Sequence, residues 1–245
     1  MRKFGLIGEK LGHSFSKRYF SEKFEQEGIT DAVYELYELS KITEFPALLA
    51  QEPELVGLNV TVPYKEAVIP YLDELDESAA KIGAVNTIKI ADGKLKGYNT
   101  DFIGFRDTLA GFYPVGAGGK ALVLGTGGAA KAVWAALDLL GIAYTSVSRN
   151  PRGNGLAYAA ITPEVLQSYS LIINTTPLGM APHVEAAPAI PYEALSAHHF
   201  LYDLVYNPEQ TLFLQKGKAA GANTMNGLPM LYAQADAAWQ IWSND

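Results

Sequence analysis

The chain has 245 residues, of which 49% are hydrophobic and 18% charged, a composition typical of a folded protein rather than a disordered one. Its 26 acidic residues outnumber its 19 basic residues, and the net charge of −7 argues against nucleic acids and anionic membranes as partners. The absence of cysteine excludes disulfides, thiolate metal sites and cysteine nucleophiles.

Metal and membrane sites are not expected either. The four histidines include the adjacent His198 and His199, which would point to opposite faces of a strand, so no metal site is predicted. No apolar run approaches the ~20 residues of a membrane span. The first twelve residues are interrupted by Glu9 and Lys10 and lack the apolar core of a signal peptide. We therefore expect a soluble, cytoplasmic protein.

The first hundred residues predict strands and helices in mixed order. A helix capped by Ser14 or Ser16 should bury Phe20 and Phe24 and end at Gly28. The other predicted elements are strands at 3–8, 33–37 and 55–62, a helix at 42–50, a hairpin of 85–90 and 95–98, and a helix from about 101 to 109.

The second half alternates strands with helices, which predicts a parallel sheet. The strands are expected at 120–124, 142–148, 171–174 and 200–205. Val133, Ala136, Leu137 and Leu140 recur at helical spacing after the first of them. A further helix is expected to begin at Asn207-Pro208 and end near Gly221, and the last helix covers 228–242.

A glycine-rich turn joins the first strand and helix of this second half. Gly125-Thr126-Gly127-Gly128-Ala129-Ala130 matches the pattern G-x-G-x-x-A of dinucleotide sites. Gly125 would permit the tight turn, Gly127 would let the backbone approach a pyrophosphate, and Ala130 would let helix and strand pack closely. The alternative is a turn that serves packing alone.

The end of the next strand bears on the choice of nucleotide. An NAD site usually places Asp or Glu there, but this stretch reads Val147-Ser148-Arg149-Asn150 and has no acid. Arg149 would make charge-assisted hydrogen bonds to a 2′-phosphate. The sequence therefore favours NADP(H), with an ordinary exposed loop arginine as the alternative.

The first half carries short polar motifs at the ends of its predicted strands. They are Gly12-His13-Ser14-Phe15-Ser16, Asn59-Val60-Thr61-Val62-Pro63-Tyr64-Lys65, Gly83-Ala84-Val85-Asn86-Thr87 and Tyr98-Asn99-Thr100-Asp101. Each alone is an ordinary cap or turn. Together they indicate a polyhydroxylated ligand, because amides and hydroxyls match alcohol groups.

These motifs, taken with the glycine turn, resemble those of shikimate dehydrogenase, the NADP-dependent enzyme that reduces 3-dehydroshikimate to shikimate. Three later segments continue the match in the family's order, namely 174–180, 202–206 and 227–234. The chain departs from the family at Glu9 and Lys17, where prolines are common, at Asn226, which replaces a frequent aspartate, and at Asn150, which replaces a frequent threonine.

The resemblance implies two α/β domains and a role in aromatic amino acid biosynthesis. Residues 1–104 with 228–245 would form the substrate-binding and catalytic domain, to which the last helix returns, and residues 105–227 the Rossmann-like NADP-binding domain. A small-molecule substrate is the implied partner, and the sequence leaves open whether the chain forms a homodimer.

The resemblance also implies roles for individual residues. Ser14 and Ser16 would hold the substrate carboxylate, Lys65 and Asp101 would be the catalytic pair, and Tyr206 and Gln234 would close the pocket. The ring hydroxyls would be bound by Asn59, Thr61, Asn86 and Asp101. The nicotinamide would lie near Leu204, Gly227 and Met230, with Thr175 also at the cofactor, and the 2′-phosphate near Ser148 and Arg149.

The chemistry of a ketone reduction fits the proposed pair. Hydride transfer leaves charge on oxygen, and an ammonium such as Lys65 can bond that oxygen and protonate it. Asp101 would orient the ammonium. The residues alone, without the family resemblance, leave simpler interpretations open. Lys65 would then be a surface lysine, Asp101 a helix cap, and Gln234 a side chain bonded to a backbone carbonyl. Two rival functions are an NAD-dependent quinate/shikimate dehydrogenase and a non-catalytic ligand sensor.

Overall fold

The structure is a computed structural model and describes residues 1–12, 14–116 and 118–244. The chain divides into two compact units. The first contains Met1–Thr100 and the residues from Gln234 onward, and the second contains Asp101–Ala233.

The first unit is built on a mixed six-stranded sheet. Its strands are β1 (Arg2–Gly8), β2 (Ala32–Glu38), β3 (Leu55–Val60), β4 (Glu74–Leu75), β5 (Thr87–Ala91) and β6 (Lys94–Tyr98), in the order β2-β1-β3-β5-β6-β4. β1, β2 and β3 are parallel, whereas β5 runs antiparallel to both β3 and β6. The helices between the strands are α1 (Phe15–Gln26), α2 (Phe45–Gln51), α3 (Tyr64–Ala67) and α4 (Glu77–Ile82).

Among the described residues of this unit, two apolar clusters form its core. In one, Phe20 and Phe24 of α1 are buried beside Phe4 of β1, as the sequence predicts. Trp242 joins the same cluster and donates its indole N–H to the carbonyl of Ile88 at 2.9 Å. A Cβ at Gly57 would come within 2.6 Å of the Trp242 ring, so close packing of the last helix requires glycine there.

The second unit is built on a parallel six-stranded sheet. Its strands are β7 (Ala121–Leu124), β8 (Tyr144–Ser148), β9 (Leu156–Ala157), β10 (Leu171–Asn174), β11 (Phe200–Asp203) and β12 (Asn223–Met225). The order is β12-β11-β10-β7-β8-β9, which is the strand order of a doubly wound dinucleotide-binding sheet. The predicted parallel sheet of the second half is therefore confirmed.

Five further α-helices lie in the described part of the chain. They are α5 (Thr100–Phe112), α6 (Gly128–Leu139), α7 (Pro163–Leu166), α8 (Leu212–Ala219) and α9 (Leu228–Ser243). On α6, Val133, Ala136 and Leu137 of the predicted apolar stripe are fully buried. Leu140, the fourth residue of that stripe, is half-buried at the position that caps the end of the helix. α5 packs Phe105 edge-on against Tyr202 of β11, with ring centroids 5.0 Å apart.

One predicted helix start is wrong. The helix expected to begin at Asn207-Pro208 begins at Leu212, where Thr211 accepts a hydrogen bond from the backbone of Leu214. Thr211 is also bonded to the buried Asp203, so a tertiary contact fixes the start of α8. The strand predicted over 55–62 ends at Val60, and the turn before α3 follows it.

Candidate active site

The predicted substrate residues of the first unit converge on one edge of its sheet. β1, β3 and β6 all end at this edge, and the antiparallel β5 begins there. Ser14 and Ser16 follow β1, Thr61 and Lys65 follow β3, and Asn86 immediately precedes β5. Residues as far apart in the chain as Ser14 and Asn86 are thereby brought to one end of the strands.

Backbone hydrogen bonds fasten these segments to one another. The amide of Thr61 donates to the carbonyl of Ile7 at 2.9 Å, which ties the end of β3 to β1. The amide of Val85 donates to the carbonyl of Lys65 at 2.7 Å, so α3 lies directly against the segment that carries Asn86. Ser14 caps α1 by accepting from the backbone of Lys17 at 3.3 Å. His13, part of the same motif, lies outside the described residues.

A buried polar network extends through this edge. The side chains of Asn59, Asn86, Thr87 and Thr100 are all buried and joined by hydrogen bonds of 3.0–3.3 Å. Tyr34 of β2 extends the network by donating to Asn59 at 2.7 Å and by hydrogen-bonding Ser16. Burial raises the pKa of the Tyr34 phenol, and the Ser16 contact lowers it by less, so the phenol stays protonated.

Four further predicted residues lie on other elements. Lys65 is half-buried on α3 and belongs to the first unit. Asp101 lies in the first turn of α5, where a carboxylate suits the positive end of the helix dipole, and belongs to the second unit. Their pairing stays a prediction. Gln234 is buried on α9, and Tyr206 is exposed in the loop after β11.

The predicted cofactor residues of the second unit also share one edge. All six strands run parallel, so the loop after each strand emerges on the same side. The residues concerned are Gly125–Ala130 after β7, Ser148 and Arg149 at the end of β8, Thr175 after β10, Leu204 after β11, and Gly227 and Met230 after β12. The strand order reverses between β7 and β10, which is where ligands of open parallel sheets bind.

The glycine turn has the geometry that a pyrophosphate requires. Gly125 has φ +111°, and a Cβ there would come within 2.6 Å of the Thr175 hydroxyl. That hydroxyl donates to the carbonyl of Leu124 at 2.8 Å and joins the ends of β7 and β10. A Cβ at Gly127 would meet open space, so the backbone at the start of α6 is bare and its N–H groups suit an anion. Ala130 is fully buried, as its packing role predicts.

The ends of the neighbouring strands complete this edge. Arg149 is exposed directly after β8, and Ser148 ends that strand. Burial raises the pKa of Tyr158 and the positive charge of Arg149 lowers it by less, which puts the guanidinium in the neighbourhood of this phenol. Gly227 lies directly against Leu204, because a Cβ at Gly227 would clash with the Leu204 carbonyl oxygen.

Known proteins resemble this chain over nearly its whole length. A family model described as the shikimate dehydrogenase substrate binding domain matches residues 6–88. The "Shikimate dehydrogenase (NADP(+))" of Clostridium beijerinckii is 41% identical, covering 99% of this chain and 92% of that protein. Its counterpart from Halothermothrix orenii is 39% identical, covering 98% and 90%. The chain belongs to the shikimate dehydrogenase family.

A solved structure extends the likeness to three dimensions. The shikimate 5-dehydrogenase of Thermus thermophilus, solved in complex with NADP(H) and shikimate, superimposes with a TM-score of 0.86 at 32% identity. The match covers 99% of this chain and 94% of that one. The family resemblance and the α/β fold class predicted from the motifs are both confirmed.

Sequence reasoning missed several residues of this shikimate dehydrogenase family member that organise the two edges. Thr87 and Thr100 stand inside quoted motifs without an expected role, and Tyr34 carries no polar signal within its strand. Asp203, at the end of β11, is a fourth. Its carboxylate accepts from Asn174 at 2.9 Å, from the amide of Val205 at 3.0 Å and from Thr211 at 2.6 Å.

Asp203 is fully buried, and burial raises its pKa to about 6 against the opposing effect of its three donors. The contacts join the ends of β10 and β11 to the start of α8. A signal existed in the sequence, since a carboxylate at the end of a predicted buried strand needs donors around it. The loop that follows Asp203 carries Leu204 and Tyr206, so this carboxylate shapes the predicted nicotinamide side of the edge.

Metal sites and membrane spans are both missing from the described part of the chain. Among the described residues, no group of three or more histidine and carboxylate side chains is arranged to hold a metal ion. Within the same part of the chain, no helix is both long and apolar enough to cross a membrane.

Proposed function

We propose that this chain is an NADP-dependent oxidoreductase that interconverts 3-dehydroshikimate and shikimate in aromatic amino acid biosynthesis. The observation that carries the proposal is the combination of two edges in one chain. One is a doubly wound sheet with a bare glycine turn at its switch point, and the other presents amides, hydroxyls and Lys65. Relatives named shikimate dehydrogenase (NADP(+)) over nearly the whole chain support it.

NADP(H) would be held by the second unit. The backbone N–H groups of Gly125–Ala130 and the start of α6 would receive the pyrophosphate. Ser148 and Arg149 would receive the 2′-phosphate, for which the absence of a carboxylate from residues 147–150 is favourable. Thr175, Leu204, Gly227 and Met230 would lie along the nicotinamide side. When bound, NADPH supplies the hydride.

The proton would come from Lys65. Its ammonium would hydrogen-bond the ketone oxygen, stabilise the charge that develops there, and deliver the proton. Asp101 would hold the ammonium in place and bond a ring hydroxyl. In the oxidation direction, the neutral amine would take the proton back from the alcohol.

The remaining substrate contacts follow the polarity of the first edge. Ser14 and Ser16 would bind the carboxylate, since Ser14 stands at a helix start where an anion is stabilised. Asn59, Thr61 and Asn86 would bind ring hydroxyls, and Tyr206 and Gln234 would close over the ligand. Residues 1–104 with 228–245 would then be the substrate domain and residues 105–227 the NADP domain.

The direct test is an absorbance assay of the purified chain with shikimate and NADP⁺. We expect the absorbance band of NADPH to grow. Turnover should be much slower when NAD⁺ replaces NADP⁺ or when quinate replaces shikimate. Faster turnover with NAD⁺ would replace the proposal by an NAD-dependent enzyme. Binding of shikimate without turnover under any combination would replace it by a ligand sensor. The same preparation, run through size-exclusion chromatography with light scattering, distinguishes monomer from homodimer, and cell fractionation tests the proposed cytoplasmic location.

A further inference from the structure

The buried network of the first unit fixes which end of each amide faces which neighbour. It joins β2, β3, β5 and the start of α5 through the side chains of Tyr34, Asn59, Asn86, Thr87 and Thr100. Amide orientations are not self-evident, because oxygen and nitrogen have the same shape, but neighbours that can only donate or only accept decide them.

Asn59 is oriented by a backbone carbonyl. The carbonyl oxygen of Asn86 can only accept, so the atom of Asn59 that lies 3.3 Å from it is the amide nitrogen. The same nitrogen donates its other hydrogen to the Thr87 hydroxyl at 3.2 Å. The oxygen of Asn59 therefore faces Tyr34, whose phenol donates to it at 2.7 Å.

Asn86 is oriented in the opposite sense by a backbone amide. The N–H of Thr100 can only donate, so the atom 2.6 Å from it is the Asn86 amide oxygen. Two hydroxyls also lie near this Asn86 oxygen, that of Thr87 at 3.3 Å and that of Thr100 at 3.2 Å, and the two hydroxyls are 3.1 Å apart. The Thr87 oxygen accepts from Asn59, so the Thr87 hydrogen is donated either to the Asn86 oxygen directly or to the Thr100 hydroxyl, which then donates to that oxygen. Both lone pairs of that oxygen are thus engaged by the fold.

The nitrogen of Asn86 is only half engaged. It donates one hydrogen to the Thr100 hydroxyl at 3.0 Å. Among the described residues, no second acceptor for this nitrogen is recorded, although the side chain is buried. A buried N–H without an acceptor costs free energy of folding. Because Asn86 lies at the edge where the predicted substrate residues converge, a ligand oxygen could accept from this N–H.

We propose that Thr87 is a positioning residue that, together with the Thr100 N–H, locks Asn86 so that it offers the substrate one N–H donor and no acceptor. This rests on the proposed function. It specifies the ligand atom at Asn86 as a hydroxyl or alkoxide oxygen used as an acceptor. A ligand group that can only donate, such as a protonated amine, is rejected at this position.

The test compares three variants with the unaltered chain, using steady-state kinetics with shikimate and NADP⁺. Thr87→Val keeps the side-chain shape but removes the hydroxyl that holds Asn86, and it should raise KM for shikimate roughly ten-fold with KM for NADP⁺ unchanged. Thr87→Ser should restore the KM for shikimate. Thr145→Val is the matched control, because it removes a strand hydroxyl bonded to Tyr169 at 2.9 Å in the second unit. It should leave KM for shikimate unchanged.

Asn86→Asp tests the donor directly and does not depend on whether Thr87→Val folds. A carboxylate presents only acceptors, so shikimate binding should weaken by roughly a hundred-fold or more, with NADP⁺ binding retained. If Asn86→Asp binds shikimate as the unaltered chain does, or if folded Thr87→Val leaves both KM values unchanged, the proposal is wrong. An unaltered chain without shikimate turnover would instead refute the proposed function.

Discussion

The edges of the two sheets differ in the chemical groups that they present. In the first unit, strands of both directions end or begin at one edge, and buried side chains from β2, β3, β5 and α5 orient one another there. In the second unit, every strand runs the same way and the glycine turn leaves backbone rather than side chains exposed. On the proposed function, the first edge would select a ligand by the direction of its hydrogen bonds, whereas the second would select by space for a phosphate and by positive charge.

The largest expected effect is the loss of turnover when Lys65 is replaced. Lys65→Ala should lower kcat by about 10²–10⁴-fold, because the proton donor is lost, while NADPH binding stays unchanged. Stopped-flow kinetics measures kcat, and a fluorescence titration measures the affinity for NADPH. Lys94→Ala is the control, since this lysine is 72% exposed on β6 and its recorded partner, Glu74, is 4.0 Å away. Near-normal turnover in Lys65→Ala would contradict the assigned role.

Asp203 is expected to make the unfolding free energy of the chain depend on pH. Its folded pKa of about 6 lies above its ordinary 3.8, so the protonated form is favoured by folding and this stabilisation is lost as pH rises through about 6. At about 1.4 kcal/mol for each pKa unit, deprotonation of Asp203 in the folded chain lowers the free energy of unfolding by about 3 kcal/mol. Asp203→Asn does not titrate, so unfolding free energy of the unaltered chain relative to this variant should fall by up to that amount between about pH 4 and pH 7.

Urea denaturation at several pH values measures this difference. Asp31→Asn is the control, because the guanidinium of Arg2 lowers the pKa of the Asp31 carboxyl and its titration lies below this window. A flat difference for Asp203→Asn across the window would show that the buried carboxylate is charged at no cost.

Gly127 separates nucleotide binding from folding. Gly127→Ala places a methyl group in open space with φ −78°, so stability should not fall, but the methyl would occupy the path of the pyrophosphate. NADPH should bind at least roughly ten-fold more weakly by isothermal titration. Gly111→Ala, also into open space within α5, should instead stabilise the fold by roughly 0.5–1 kcal/mol and leave NADPH affinity unchanged. Equal NADPH affinities for both variants would count against the turn as the pyrophosphate site.

Arg149 gives the smallest expected effect and the most specific one. Arg149→Ala should weaken NADPH about ten-fold and leave NADH unaffected, because only NADPH carries the 2′-phosphate. Arg18→Ala, an exposed arginine 3.9 Å from Glu22 in the first unit, should change neither affinity. An unaltered ratio of the two affinities in Arg149→Ala would assign the phosphate contact to another residue.

Prediction from the sequence succeeded where the signal is local. The glycine turn, the apolar stripe of α6 and the hairpin around Asp92-Gly93 each depend on neighbours within a few positions, and the structure contains all three. The start of α8 failed for the opposite reason. Asn207-Pro208 is a good local start signal, but the bond between Thr211 and Asp203 joins residues eight positions apart and places the start at Leu212.

The amino-acid sequence by itself determined the dinucleotide turn, the class of fold and the family, because these follow from short patterns kept in a fixed order. Only the tertiary structure decided how the amides of the first edge point. Asn59 meets Tyr34 across 25 positions and Asn86 meets Thr100 across 14, and each contact exists because the fold packs separate elements together. No short pattern encodes the direction of those hydrogen bonds, since an amide takes its orientation from whichever donors and acceptors the fold places around it.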